Sequence, residues 1–179
     1  MTKAFRMTGA VMLVVGLGLL FGMTQTSAQS DNGQSEIQRG LSIAPVPLNL
    51  KDNKRGLVGL GSYYVNGVSD CVGCHSGASG HLGGGNPFGP VLSRNLTPNI
   101  AGLPGGLTLE QFIFTMRNGT DLKNLTPVTP GPVVDKLQIM PWPQYQKLTT
   151  EDLRAIYEYL RAIPCVPGGP GLSADRCGS

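Results

Sequence analysis

The chain carries little charge and few side chains that commonly bind metals. Only 14 % of its 179 residues are charged, and only two are histidines. Basic and acidic residues nearly balance, at 14 and 11, and no run of like charge occurs. A chain without a basic patch argues against a nucleic-acid partner and against binding to a charged membrane surface. Any metal centre must therefore use a small set of side chains.

The sequence also lacks a β-strand pattern and an internal repeat. Apolar residues instead recur at helical spacing in three segments. Between these segments, glycine and proline punctuate residues 76–106 and 120–139. We therefore expect an all-α domain whose helices are joined by long irregular loops.

Residues 1–28 have the organisation of a secretory signal peptide. Lys3 and Arg6 precede an apolar stretch at residues 9–23, and small residues up to Ala28 offer a cleavage site. The apolar stretch is shorter than the roughly 20 residues that a spanning helix needs. We expect export to the periplasm, cleavage, and no transmembrane segment in the mature chain, with an uncleaved anchor as the alternative. Cleavage leaves 12 basic residues against 11 acidic ones.

Three helices are expected in the mature chain. The first covers roughly residues 56–67 and contains Gly61, which suits a position where another helix crosses closely. The second begins at a capping box formed by Thr108 and Gln111. The third begins at Thr149 and carries a continuous apolar stripe.

The segments that flank these helices are expected to be less regular. A polar segment at residues 29–39 is expected to be flexible, and the proline-containing residues 41–50 are expected to be extended. The expected division of the chain is residues 1–28 as signal peptide, 29–55 as N-terminal arm, 56–164 as the helical domain and 165–179 as a C-terminal tail.

The most specific chemistry lies at residues 71–75, which read Cys-Val-Gly-Cys-His. The pattern C-x-x-C-H indicates covalent attachment of a c-type haem. On a helical turn, the two-residue gap places both thiols along one porphyrin edge, where they form thioethers with the vinyl groups. The motif predicts one covalently bound haem c, attached by Cys71 and Cys74, with His75 as the proximal iron ligand.

Three other interpretations compete for this motif. A thioredoxin-like redox pair expects a βαβ context, which the flanking sequence lacks. A zinc site could use Cys71, Cys74, His75 and His81, although neighbouring ligands at 74 and 75 make tetrahedral geometry awkward. A structural disulfide between the two cysteines would leave His75 unexplained.

The other iron face has few candidate ligands in the mature chain. Met116 lies on an apolar helix stripe, which favours core packing, and His81 follows His75 too closely to reach the opposite face. Met140 lies in a proline-rich loop that restricts the backbone. A thioether ligand raises the reduction potential and suits electron transfer. We predict Met140 as the distal ligand; otherwise the iron is open.

The second ring nitrogen of His75 needs an acceptor, which is usually a backbone carbonyl. The carbonyl of Pro90 is the expected acceptor, and that of Pro98 is the alternative. The side chains that could contact a haem propionate, or serve in ordinary packing, are Arg94, Trp142 and Tyr145.

With these residues in view, the chain resembles the class I monohaem cytochromes c. It looks most like the bacterial periplasmic type related to cytochrome c subunits of quinoprotein alcohol dehydrogenases. The resemblance implies a class I cytochrome c fold, crossing first and last helices, and His75 and Met140 as axial ligands. It covers roughly residues 39–164 and rests on G-L-G-S-Y at 59–63, S-R-N-L-T-P at 93–98, L-T-L-E-Q-F at 107–112, M-P-W-P at 140–143 and L-R-A-I-Y-E-Y-L at 153–160.

The tail holds the remaining two cysteines, Cys165 and Cys177, separated by a stretch rich in glycine and proline. In an exported protein this arrangement predicts a disulfide. A ring of this size contributes on the order of 3 kcal/mol to stability.

Together these features predict a periplasmic electron carrier or an electron-transfer subunit, and not an enzyme. The iron would cycle between Fe(III) and Fe(II) and exchange electrons with redox partner proteins on the dehydrogenase or terminal oxidase side. The alternatives are a peroxidase-like haem enzyme or a gas sensor with an open distal site, and a zinc-stabilised binding module. A peroxidase would need a distal acid–base residue, and His81 is the only histidine available for it.

Overall fold

The computed structural model of the chain describes residues 28–51, 54–122, 136–167 and 174–178. The signal peptide expected at residues 1–28 lies outside this part of the chain except for Ala28, so its cleavage stays a prediction. Within the described ranges, no helix is both long enough and apolar enough to cross a membrane.

The described part of the chain is mostly helical, as predicted. The only regular strands in it form a small antiparallel hairpin in which Phe88 pairs with Val91. The helices are α1 (Ala28–Ile43), α2 (Arg55–Tyr63), α3 (Cys71–His75), α4 (Leu109–Asn118), α5 (Trp142–Tyr145) and α6 (Thr150–Ala162), and the strands are β1 (Pro87–Phe88) and β2 (Val91–Leu92). A π-helical turn (Tyr64–Val68) extends α2, and a 3₁₀ turn (Ala174–Cys177) lies near the C-terminus.

Helix α1 corrects the expectation that residues 29–39 are flexible. It packs along α2 at a glycine contact, because a Cβ on Gly40 would overlap the carbonyl of Gly59. The buried hydroxyl of Ser62 donates a hydrogen bond of 2.7 Å to the carbonyl of Gly40. Helix α1 therefore depends on a backbone contact with α2, which its own polar composition does not reveal. The segment expected to be extended, residues 41–50, is helical up to Ile43, where α1 ends, and lies outside helices and strands at residues 44–50.

Helices α2 and α6 cross where Gly61 lies, as the resemblance implied. A Cβ on Gly61 would overlap the carbonyl of Ala155 and lie 2.8 Å from the Cβ of Tyr159. Only glycine permits this close approach of two backbones. The residues of α6 that are buried around this crossing are Leu153, Ala155, Ile156, Tyr157, Glu158, Tyr159, Leu160 and Ala162.

Both predicted helix starts are confirmed in detail. Thr108 accepts a hydrogen bond from the backbone of Gln111, and the Gln111 side chain accepts one in return, which completes a capping box. Thr149 and Asp152 form the same arrangement at the start of α6. Each box satisfies two backbone donors that the first helical turn leaves open.

We expect Gly61→Ala to destabilise the protein by about 2–3 kcal/mol, because the added methyl group forces α2 and α6 apart. Gly33→Ala is the matched control: Gly33 is also helical, and a Cβ there meets nothing within 4 Å. The control should stabilise α1 slightly, by about 0.5–1 kcal/mol. Urea unfolding of both variants measures the difference, and equal free energies of unfolding would contradict the close crossing.

Candidate functional site

The Cys-Val-Gly-Cys-His motif at residues 71–75 forms a single helical turn, α3. Asp70 precedes α3 in a left-handed conformation with φ 49°, which aspartate tolerates better than most residues. Gly73 lies against its carboxylate, because a Cβ there would be 2.5 Å from the Asp70 Oδ1 atom. The thiols of Cys71 and Cys74, one turn of helix apart, are both free and partly buried.

The surroundings of these thiols do not match the redox or zinc interpretations. Burial raises the pKa of the Cys71 thiol to about 12, whereas redox-active cysteines have a lowered pKa and an accessible thiolate. Among the described residues, no three His, Cys, Asp or Glu side chains come close enough to hold a metal ion. His81 is engaged elsewhere, with its Nε2 atom 3.0 Å from the hydroxyl of Tyr159.

His75 is held in one orientation by a backbone carbonyl. Its Nδ1 atom lies 2.7 Å from the carbonyl oxygen of Arg94. A carbonyl can only accept a hydrogen bond, so Nδ1 carries the proton and Nε2 keeps a lone pair. Burial lowers the pKa of His75, which favours this neutral form. The imidazole is therefore prepared to bind a metal through Nε2.

The expectation that Pro90 or Pro98 supplies this carbonyl is wrong. Pro90 lies in the exposed turn of the β1–β2 hairpin, whereas the chain after β2 returns to the core. The return is fixed by a hydrogen bond of 2.9 Å from the Leu96 amide to the Leu82 carbonyl. It brings the carbonyl of Arg94 to His75. The Arg94 guanidinium forms two hydrogen bonds with the Asp121 carboxylate, at 2.6 and 2.7 Å.

Met140 precedes a tight turn that its own sequence favours. The Trp142 amide donates to the Met140 carbonyl at 2.8 Å, and Pro141 between them has φ −77° and ψ 54°. These are the angles of an inverse γ-turn, and the proline ring holds φ at this value. The Met140 side chain is partly buried and packs against the hydrophobic core.

The Met140 loop is attached to the end of α4. The Trp142 ring covers Gly119, whose Cβ, if present, would overlap the indole. The Lys136 ammonium lies 5.2 Å from the centroid of the same ring, within range of a cation–π contact. Arg117 donates a hydrogen bond to the carbonyl of Gln146. These contacts hold the segment after Met140 from the side of α4.

A second attachment joins this segment to the cysteine-containing turn. The Tyr145 hydroxyl donates a hydrogen bond of 2.7 Å to the carbonyl of Ser69, two residues before Cys71. Burial and, to a smaller extent, the nearby thiols of Cys71 and Cys74 together raise the pKa of Tyr145 to about 12. The loop that carries Met140 and the turn that carries the thiols therefore share one region.

The donor set in this region fits a c-type haem. It comprises two free thiols one helical turn apart, a neutral imidazole with an available Nε2 and, on the neighbouring loop, a thioether. Partly buried apolar side chains pack against the core nearby, a surface that suits a porphyrin ring. Those from the segments around the site are Cys71, Val72, Leu96, Met140, Tyr145 and Leu148.

Sequence reasoning missed two contributors to the site. The Arg94 carbonyl and the Asp121 carboxylate lie in irregular segments, and no local pattern identifies a backbone acceptor. Arg94, Trp142 and Tyr145, considered as propionate contacts, all have protein partners. Met116 is buried in the core, as expected. The disulfide between Cys165 and Cys177 is present, as predicted.

Comparison with known proteins finds relatives of one kind. The chain is similar to the cytochrome c subunit of a quinone alcohol dehydrogenase from Gluconobacter oxydans, at 34 % identity over 101 residues, which are 54 % of this chain and 19 % of that protein. It is similar to the fructose dehydrogenase cytochrome subunit of Gluconobacter japonicus, at 34 % over 106 residues, 55 % of this chain and 20 % of that one. The gluconate 2-dehydrogenase cytochrome c subunit of Pantoea cypripedii is 32 % identical over 101 residues, covering 54 % and 21 %.

The chain thus spans about a fifth of the length of these curated relatives. The similarity confirms the resemblance to dehydrogenase cytochrome c subunits inferred from the sequence motifs. No protein-family model and no solved structure matches the chain.

We expect Gly119→Ala to displace Trp142 and loosen the Met140 loop. Gly89→Ala is the matched control, because both glycines have positive φ, 65° and 60°, but a Cβ on Gly89 meets nothing within 4 Å. Both variants should lose about 1–2 kcal/mol of stability from backbone strain. Gly119→Ala should lose a further 1–3 kcal/mol from overlap with the indole.

Urea unfolding compares the two variants, and fluorescence of Trp142 reports its surroundings directly because it is the only tryptophan. An emission spectrum unchanged in Gly119→Ala would refute the contact between this ring and Gly119.

Proposed function

We propose that this chain, a cytochrome c related to the dehydrogenase subunits that it matches, transfers electrons in the periplasm through one covalently bound haem c. Cys71 and Cys74 attach the haem, His75 is the proximal iron ligand and Met140 is the distal ligand. The observation that carries the proposal is the hydrogen bond from His75 Nδ1 to the Arg94 carbonyl, on the same turn as two free thiols.

When bound, the haem supplies a one-electron couple between Fe(III) and Fe(II). The chain keeps His75 neutral and oriented, so that Nε2 would be free to bind the haem iron. Met140 offers a soft thioether, which stabilises the reduced state and raises the potential. The contacts of Trp142 and Tyr145 keep that loop in place and limit the rearrangement that accompanies electron transfer.

The peroxidase-like alternative is less well supported by the geometry. Peroxidase chemistry needs an acid–base group on the distal side, and His81 was the only candidate. The His81 ring is instead hydrogen-bonded to Tyr159 on α6, a residue that is fully buried. Electron transfer, by contrast, needs no acid–base side chain.

The proposed partner is a dehydrogenase, because the relatives are named as subunits of such enzymes. The exported chain would have residues 1–28 removed, the arm 29–55 packed on the haem domain 56–164, and the tail 165–179 closed by its disulfide. Its basic and acidic residues nearly balance, so docking should depend only weakly on salt.

The test is an absorbance spectrum of the exported protein in the oxidised and reduced states. We expect a haem that stays attached after denaturation, and a weak charge-transfer band from methionine to iron in the oxidised state. Met140→Ala should lose this band, whereas Met116→Leu should keep it because Met116 is buried in the core. The double variant Cys71→Ser/Cys74→Ser should prevent covalent attachment.

Two results would overturn the proposal. A wild-type haem spectrum that lacks the band and changes on addition of carbon monoxide would favour the sensor or peroxidase function. Exported protein without any haem would exclude electron transfer by this route.

A further inference from the structure

The C-terminal tail is hydrogen-bonded to the segment directly after Arg94. The Val166 amide donates to the Thr97 hydroxyl at 3.0 Å, and the Val166 carbonyl accepts from the Asn95 side chain at 3.1 Å. Further along the tail, the Arg176 carbonyl accepts from the Ile100 amide at 2.7 Å, and the Arg176 guanidinium donates to the Thr97 carbonyl. Four hydrogen bonds therefore join the tail to residues 95–100.

The disulfide lies where these bonds are made. Val166 directly follows Cys165, and Arg176 directly precedes Cys177. The bond between the two cysteines therefore joins the two parts of the tail that hold residues 95–100. The disulfide reduces the number of conformations that the tail can adopt when it is not bonded to residues 95–100.

Asn95 links the tail to the Arg94 carbonyl, which is the acceptor of His75 Nδ1. The Arg94 carbonyl lies in the same peptide plane as the Asn95 nitrogen and Cα, so fixing Asn95 fixes the direction of the carbonyl. Asn95 is only 2 % exposed, and its Oδ1 accepts from the amide and the hydroxyl of Thr97, at 2.9 and 2.6 Å. Its Nδ2 is the group bonded to Val166.

The opposite side of this peptide is also supported. A Cβ on Gly84 would lie 2.5 Å from both the Arg94 carbonyl carbon and the Asn95 nitrogen, so the Gly84 backbone lies directly against the peptide. The Gly84 amide donates a hydrogen bond of 2.7 Å to the carbonyl of His75. The peptide between Arg94 and Asn95 therefore lies between Gly84, which is bonded to His75, and the Asn95 side chain, which is bonded to the tail.

We propose that the disulfide-closed tail, acting through Asn95 and Thr97, positions the Arg94 carbonyl on His75 and thereby tunes the proximal ligand. This inference rests on the proposed function. A carbonyl that accepts from Nδ1–H increases the basicity of the imidazole and favours Fe(III). Loosening the carbonyl should therefore raise the midpoint potential. Asn95 and Thr97 are positioning residues, because they act through the Arg94 carbonyl and not by contact with the haem.

Thr97→Val and Thr97→Ser test the proposal on the holoprotein. Valine keeps the shape of the buried side chain but loses the two hydrogen bonds of the hydroxyl, to Asn95 Oδ1 and from the Val166 amide, whereas serine keeps both. The bond from the Thr97 amide to Asn95 remains in both variants. We expect a more positive midpoint potential for Thr97→Val in a spectroscopic redox titration, by up to about 59 mV if the Fe(III)/Fe(II) balance changes tenfold. The proton NMR resonance of His75 Nδ1–H should shift in the same variant, and Thr97→Ser should behave as the wild type.

Replacing both Cys165 and Cys177 by serine should shift the potential in the same direction. Thr149→Ala is the stability control, because it removes a helix cap far from this loop in sequence and leaves all the tail contacts in place. If Thr97→Val lowers the melting temperature as Thr149→Ala does, but leaves the potential and the Nδ1–H resonance unchanged, the tail has only a structural role and the inference is overturned. A wild-type chain that takes up no haem would overturn the proposed function and, with it, this inference. A wild-type chain that contains haem, with an unchanged potential in Thr97→Val, would overturn this inference alone.

Discussion

The close crossing of α2 and α6 is the constraint on which the rest of the structure depends. Gly61 brings the two backbones into contact, and Tyr159, the largest fully buried side chain among the described residues, packs beside it. The candidate functional site lies between the end of α2 and the start of α6. The π turn that ends α2 leads directly to the thiols of α3, and the Met140 loop leads through α5 to the start of α6. The bond between Tyr145 and Ser69 joins these two segments.

The candidate site itself is built from irregular chain, and its precision comes from hydrogen bonds to backbone groups. His75 binds the Arg94 carbonyl, and the side chain of Asn86 donates to the carbonyls of Cys74 and Ser76, at 2.9 and 2.8 Å. Loops held by such bonds do not need their own hydrophobic core. A haem at this position would supply the apolar partner that the long segment at residues 76–106 lacks. The proposed electron transfer depends on this rigidity, because the ligands must change little between the two oxidation states.

The predictions from sequence succeeded where the signal is local. The capping boxes at Thr108 and Thr149 depend on residues three positions apart, and the structure contains both. The glycine at position 61 was expected to face a helix because a helix interior tolerates glycine poorly without a reason. Prediction failed for α1, which is polar along much of its length and folds against α2 through Gly40. It failed also for the acceptor of His75, because any backbone carbonyl in the long segment at residues 76–106 could serve.

By itself, the sequence determined which donor groups the chain can offer to a cofactor. The spacing of Cys71, Cys74 and His75 specifies three groups on one helical turn, and this geometry follows from the helix repeat alone. It also indicated the disulfide, because the expected export would bring Cys165 and Cys177 to an oxidising compartment. Only the tertiary structure decided which carbonyl orients His75 and which contacts hold that carbonyl. Those contacts join residues far apart along the chain, and their partners are backbone groups that every residue possesses.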